Sequence, residues 1–109
     1  MENKANTLEL GIVSDEISND FAEAMRYTSS WGISLVEIRL LQSGRVPHVD
    51  KEDVEEVQRY LRRHDVRVTA LSPGIFKHHL SKTRELEEEL TTALPRTIEM
   101  AKTLSAPLL

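Results

Sequence analysis

The feature that most constrains this chain is a threefold alternation of short apolar runs with amphipathic helical stretches. Leu8 to Val13 (LELGIV), Leu35 to Leu41 (LVEIRLL) and Val66 to Leu71 (VRVTAL) place apolar residues at every second position, the period of a strand. The stretches between and after them carry the helical period instead. In the first, Phe21, Ala24, Met25, Thr28 and Trp31 share one face, with Asp20 as a cap, Glu23 completing a capping box and Gly32 as the stop. In the second, Asp50 caps a helix whose buried stripe is Val54, Val57 and Leu61. Acidic residues crowd its start, and Arg62, Arg63 and His64 close it, as the helix dipole favours. The third runs from about Thr83 to Leu104, with Leu86, Leu90, Leu94, Ile98, Ala101 and Leu104 as its apolar face and a kink expected at Pro95. Gln42 to Val49 reads as a loop, and Pro107-Leu108-Leu109 reads as the start of a fourth strand. The sum is β-α-β-α-β-α-(β), which implies parallel strands joined by right-handed crossovers.

The strand faces narrow the architecture. Val36, Ile38 and Leu40 share one face of the second strand, while Leu35, Glu37 and Arg39 share the other. The same alternation puts Leu10 and Ile12 under the helices, with Glu9, Gly11 and Val13 facing away. In the third strand it sets Val66, Val68 and Ala70 against Arg67, Thr69 and Leu71. A doubly wound sheet is buried on both sides and reads apolar on both. A barrel with a polar mouth tolerates Glu and Arg at the strand ends, so the pattern favours the first part of a (β/α)8 barrel over a flavodoxin-like sheet. Such barrels take about 250 residues, and this chain has 109. The expectation is one incomplete domain, residues 1–109, holding three βα units and the start of a fourth strand.

Composition excludes several function classes. The net charge of -4 and the pI near 5.6 lack the basic footprint of a nucleic-acid or anionic-membrane binder. With no cysteine there is no disulfide, thiolate zinc site or cysteine nucleophile. No apolar run spans a membrane, and MENKANTLEL has no signal-peptide stretch behind its lysine, so a cytoplasmic location is expected.

Four segments carry a family likeness: Gly11-Ile12-Val13-Ser14-Asp15, Trp31-Gly32 through Glu37-Ile38-Arg39, Ala70-Leu71-Ser72-Pro73-Gly74, and Ile98, Ala101 and Leu104 in the last helix. Together they resemble the opening of the sugar phosphate isomerase/epimerase family, the xylose-isomerase-like TIM barrels related to family 2 AP endonucleases. Ser105 departs from the glycine usual after the last leucine of that pattern. The resemblance implies a divalent-metal-dependent isomerase or epimerase acting on a small carbohydrate or hydroxy-carbonyl compound. The metal, Mn, Mg, Zn or Co, would be held by residues of later strands, so none is expected in this chain. It also implies that the chain alone is inactive, and an open arc leaves self-association available at its edges and bare face. A lyase or dehydratase on the same barrel is one alternative. A metal-dependent nuclease for abasic DNA is another, although Ser72-Pro73 stands where that branch has a histidine ligand.

The residues assigned to substrate are Glu37, Arg39, Ser72 and Ser14. Glu37, at the mouth, would bond substrate hydroxyls, and Arg39 would grip a phosphate or carboxylate. The competing account pairs these two with each other, or with Arg67 and Glu9. Asp15 and Glu16 read as a solvated acidic loop and Trp31 as a core anchor. His48 reads as a surface residue, and His78 and His79, being sequence neighbours, do not aim at one ion.

Overall fold

The computed structural model describes residues 9–109, so the predicted strand start at Leu8 lies outside the described residues. The protein is mixed α/β. Strands β1 (Gly11–Val13), β2 (Leu35–Ile38) and, further along, β5 (Arg67–Leu71) form one parallel sheet in chain order. Leu108 adds a parallel bridge to Ala70, and its carbonyl accepts from the Leu71 N–H at 3.0 Å. A single bridge beside β5 thus stands where the fourth strand is predicted to begin.

The second strand is shorter than its apolar run. It breaks at Arg39, and residues 40–45 turn back as a small antiparallel hairpin of β3 (Leu40–Leu41) and β4 (Gly44–Arg45), where a loop was expected. Leu41, Val46 and Val49 bury their side chains there, which explains why this polar-looking stretch is ordered. Gly44 sits at φ +154, and a Cβ on it would lie 2.7 Å from the His48 carbonyl oxygen. Gly44→Ala is therefore expected to lower stability by about 2 kcal/mol, measured by urea denaturation. An unchanged midpoint would show that the hairpin relaxes without cost.

Helix α1 (Phe21–Ser30) starts where Asp20 accepts from the Ala22 N–H at 3.1 Å. The expected capping box is replaced, because the Asp20 N–H goes to Ser18 Oγ instead. Helix α2 (Lys51–His64) is capped by Asp50, which accepts from the Asp53 N–H at 2.9 Å, and it ends on Asp65 in the left-handed region. Phe21, Ala24 and Met25 of α1, and Val57 of α2, share one core with Val36 and Ile38 of β2 and Val68 and Leu71 of β5. Met100 and Ala101 of the last helix, and Leu104 at its end, join the same core. Helices α1 and α2 and the final helical segment thus supply one apolar layer against one face of the sheet, the source of most of the burial free energy.

Four sequence expectations are corrected by packing. First, Leu10 is 72% exposed, because the ladder begins only at Gly11 and leaves it beyond the helical layer. Second, the faces of β5 switch midway. Val36 pairs with Val68 but Glu37 pairs with Ala70, so Thr69 is an extra residue, a β-bulge. Ala70 thereby moves to the Glu37 side, and Leu71 moves into the core, where it is fully buried. Third, the last helix is α3 (Thr83–Glu88), a π-turn over Glu89–Ala93 and α4 (Leu94–Thr103). The wider turn just before Pro95 accommodates the missing proline N–H and rotates the stripe. Ala93, Thr97, Met100 and Ala101 are buried, while Leu90 is 58% exposed and Ile98 also faces out. Fourth, Trp31 is the C-terminal cap of α1 rather than a core residue. It is exposed against the Tyr27 ring, with ring centroids 5.8 Å apart. Among the described residues no helix is long and apolar enough to cross a membrane.

Candidate functional site

Parallel strands in chain order bring their C-terminal ends to one rim, and the loops after β1, β2 and β5 meet there. Open α/β sheets and barrels alike place their sites at this rim. Glu37 is the penultimate residue of β2. It points away from the helical layer, since Val36 and Ile38 on either side are buried in the core. Its row in the sheet is Val13, Glu37 and Ala70. The bulge at Thr69 decides that row: without it, Thr69 and Leu71 would occupy this side and fill the space.

A cleft of about 360 Å³ opens beside Glu37, lined by Ala70, Ser72, Pro73, Ile75 and Phe76 among others. Ser72 is placed by its N–H, which donates to the Ile38 carbonyl at 2.9 Å, and by its own carbonyl, which accepts from Arg45 Nε at 3.1 Å. Two of the four assigned residues, Glu37 and Ser72, therefore line one cleft. No hydrogen bond or ion pair to Glu37 occurs among the described residues. An ionised carboxylate is an acceptor with about four lone-pair sites, so this one is free to take donors from a ligand.

Arg39 and Ser14 stand elsewhere. Arg39 Nε lies 3.0 Å from both carboxylate oxygens of Asp15, and its Nη2 lies 3.8 Å from Glu16. This corrects the reading of Asp15 as a solvated residue: its side chain is 8% exposed, and it ties the first loop to the end of β2. The competing account that pairs Arg39 with Glu37 is not met, because the partners of Arg39 are Asp15 and Glu16. Arg67 does pair with Glu9, at 3.7 Å, toward the opposite end of the sheet. Ser14 is 1% exposed, and its Oγ has no hydrogen-bond partner among the described residues, while its carbonyl accepts from Ile17 and Ser18. It lies outside the cleft lining.

His78 and His79 do not converge, although His48 and His78 line one cavity together with Glu85, Glu88 and Glu89. His79 Nδ1 lies 2.9 Å from Ser81 Oγ, whereas His78 Nε2 lies 3.6 Å from Glu89 Oε1. His64 stacks on Tyr60 within α2, the rings 6.3 Å apart. Among the described residues no group of three or more His, Cys, Asp or Glu could hold a metal ion. The divalent metal implied by the resemblance therefore has no fitting ligand set in these residues.

Two contributors escaped the sequence reading. Thr69 escaped because a bulge leaves no mark on an alternating pattern. Phe76 escaped because it is a single aromatic in a loop, although an apolar side chain set between Gly74 and His78 was the available signal. Comparison with known proteins adds no assignment: no protein-family model, curated protein or solved structure matches the chain.

Proposed function

We propose that this chain forms the opening arc of a (β/α)8-type barrel of the sugar isomerase/epimerase kind, and that its part in the reaction is to hold a small carbohydrate or hydroxy-carbonyl substrate. The observation that carries the reading is the Glu37 carboxylate, without a partner among the described residues, sharing with Ser72 a cleft at the C-terminal end of the sheet. Strand order supports it. Sheet order follows chain order, and Leu108 continues it beside β5, whereas in the 3-2-1-4 order of a doubly wound sheet the fourth segment returns to the first strand. Helices cover one face only, and the bare face would be the barrel interior.

The chemistry assigned to these residues is binding. Glu37 accepts hydrogen bonds from hydroxyl groups, and the Ser72 hydroxyl both donates and accepts. Arg39, already engaged by Asp15, holds the rim in shape. No step is routed through a metal, because the described residues do not fit one.

The test is an NMR titration of the full chain with a panel of ketoses, following backbone amide shifts. Shifts are expected at Glu37, Ala70 and Ser72. Replacing Glu37 with Leu should weaken binding by about tenfold or more, the size expected for losing a hydrogen bond to a charged group. Shifts confined to other surfaces, or binding indifferent to Glu37→Leu, would end the reading. With Mn²⁺ added, the chain alone is expected to show no ketose turnover.

A further inference from the structure

We propose that the outward stripe of α2 is a dimer interface whose occupant is the α2 helix of a second copy of this chain, packed antiparallel about a two-fold axis level with Val57. The inference concerns the outer helical face and does not rest on the carbohydrate reading.

Spacing defines the stripe. Glu52, Glu55, Arg59 and Arg62 stand at i, i+3, i+7 and i+10, the heptad spacing of one helix face. All four are exposed, whereas Val57 is fully buried. At about 100° per residue the stripe is centred opposite Val57, so it is the outermost line of the helix.

The order of charges along the stripe carries the proposal. Two acidic residues are followed by two basic ones, at equal steps on either side of Val57. A second copy laid antiparallel about that level sets Glu52 against Arg62 and Glu55 against Arg59, and the two-fold axis repeats both pairs. A parallel copy in register would set like against like at every step. The helix dipole accounts for Glu52 in the first turn and Arg62 in the last, but it fades beyond those turns and leaves Glu55 and Arg59 unexplained. Nor do these groups satisfy one another within the helix. Glu55 and Arg59 have the i, i+4 order that favours an intrahelical pair, yet no ion pair joins them. Arg59 rests over the Tyr60 ring instead, 5.8 Å from its centroid. Glu52, Arg59 and Arg62 make no ion pair among the described residues. Glu55 makes one, with Lys51 Nζ at 3.9 Å, but that lysine side chain is 85% exposed and the pair is solvated. The glutamate and arginine stems add apolar area once two helices meet. Because the same stripe serves both copies, the contact closes at two and leaves the bare face and edges of the sheet untouched.

Sedimentation equilibrium of the full chain tests this. At low salt the mass is expected to rise with concentration from 12.4 kDa toward twice that value and no further. The association constant should fall at least about tenfold between about 20 mM and about 500 mM NaCl, because screening shortens the reach of the paired charges. Arg59→Glu with Arg62→Glu makes the stripe wholly acidic, and Glu52→Arg with Glu55→Arg makes it wholly basic. Each double variant alone should associate at least about tenfold more weakly, since like charges then face each other. An equimolar mixture of the two should recover the dimer, which also shows that both variants fold. A chain that stays monomeric at low salt up to about 0.5 mM overturns the proposal. So does a mass that grows beyond the dimer, or a dimer indifferent to salt and to both double variants, which places the contact on the sheet. A mixture that stays monomeric, although both variants keep the parent far-UV circular dichroism, overturns it as well.

Discussion

Leu71→Ala is expected to lower the free energy of unfolding by about 3 kcal/mol, whereas Ala70→Ser, one position earlier, costs under about 1 kcal/mol. The contrast follows from the bulge. Leu71 is fully buried among Ile38 and the helical residues, so truncating it removes apolar burial and leaves a cavity. Ala70 lies on the open face beside Glu37, where a hydroxyl is hydrated or bonded. Simple alternation predicts the reverse, with Ala70 in the core and Leu71 outside. Urea unfolding of both variants, with unchanged m-values, distinguishes the two registers. Equal effects, or a larger cost at Ala70, would remove the bulge and with it the shape of the cleft.

Ile38→Asp is expected to unfold the chain, while Glu37→Leu leaves its stability within about 1 kcal/mol. These are neighbours on one strand with opposite surroundings. Ile38 is fully buried beneath the helices, and a carboxylate there has no described cation to meet it. The desolvation cost, more than about 4 kcal/mol, is comparable to the whole stability of a small domain. Glu37 has no partner among the described residues, so its loss breaks no described bond. Far-UV circular dichroism and amide dispersion would report the first result and denaturant midpoints the second. A folded Ile38→Asp protein would mean that the helices do not cover that face. A strongly destabilised Glu37→Leu protein would give Glu37 a structural role and weaken its assignment to a ligand.

Self-association bears on how these measurements are read. The sheet presents one bare face and a β1 edge with exposed Leu10 beside it. Unfolding midpoints that rise with protein concentration would reveal association, since mass action then contributes to apparent stability.

The strand–helix alternation, the two aspartate caps at Asp20 and Asp50 and the opposed faces of β2 were legible in the residues. Each is set within a few positions of chain, by side-chain period or by a local hydrogen bond. The parallel sheet followed from connection lengths alone, because helix-length crossovers join parallel strands. Glu37 and Ser72 were legible as candidates for the same reason: they fall at strand ends.

The remaining features depend on contacts between segments distant in sequence. The Thr69 bulge exists because β5 must satisfy β2 at Val36 and again at Glu37 with one residue to spare, a matching that neither strand encodes separately. The engagement of Arg39 by Asp15 spans 24 residues, a pairing that no local window of sequence contains. The π-turn before Pro95 rotates a helical stripe that period alone placed elsewhere. Local periodicity determined which elements form and which strand face is apolar. Only the packing of elements against one another decided register, the pairing of charges and the open space beside Glu37, because those depend on distances that no short window of sequence contains.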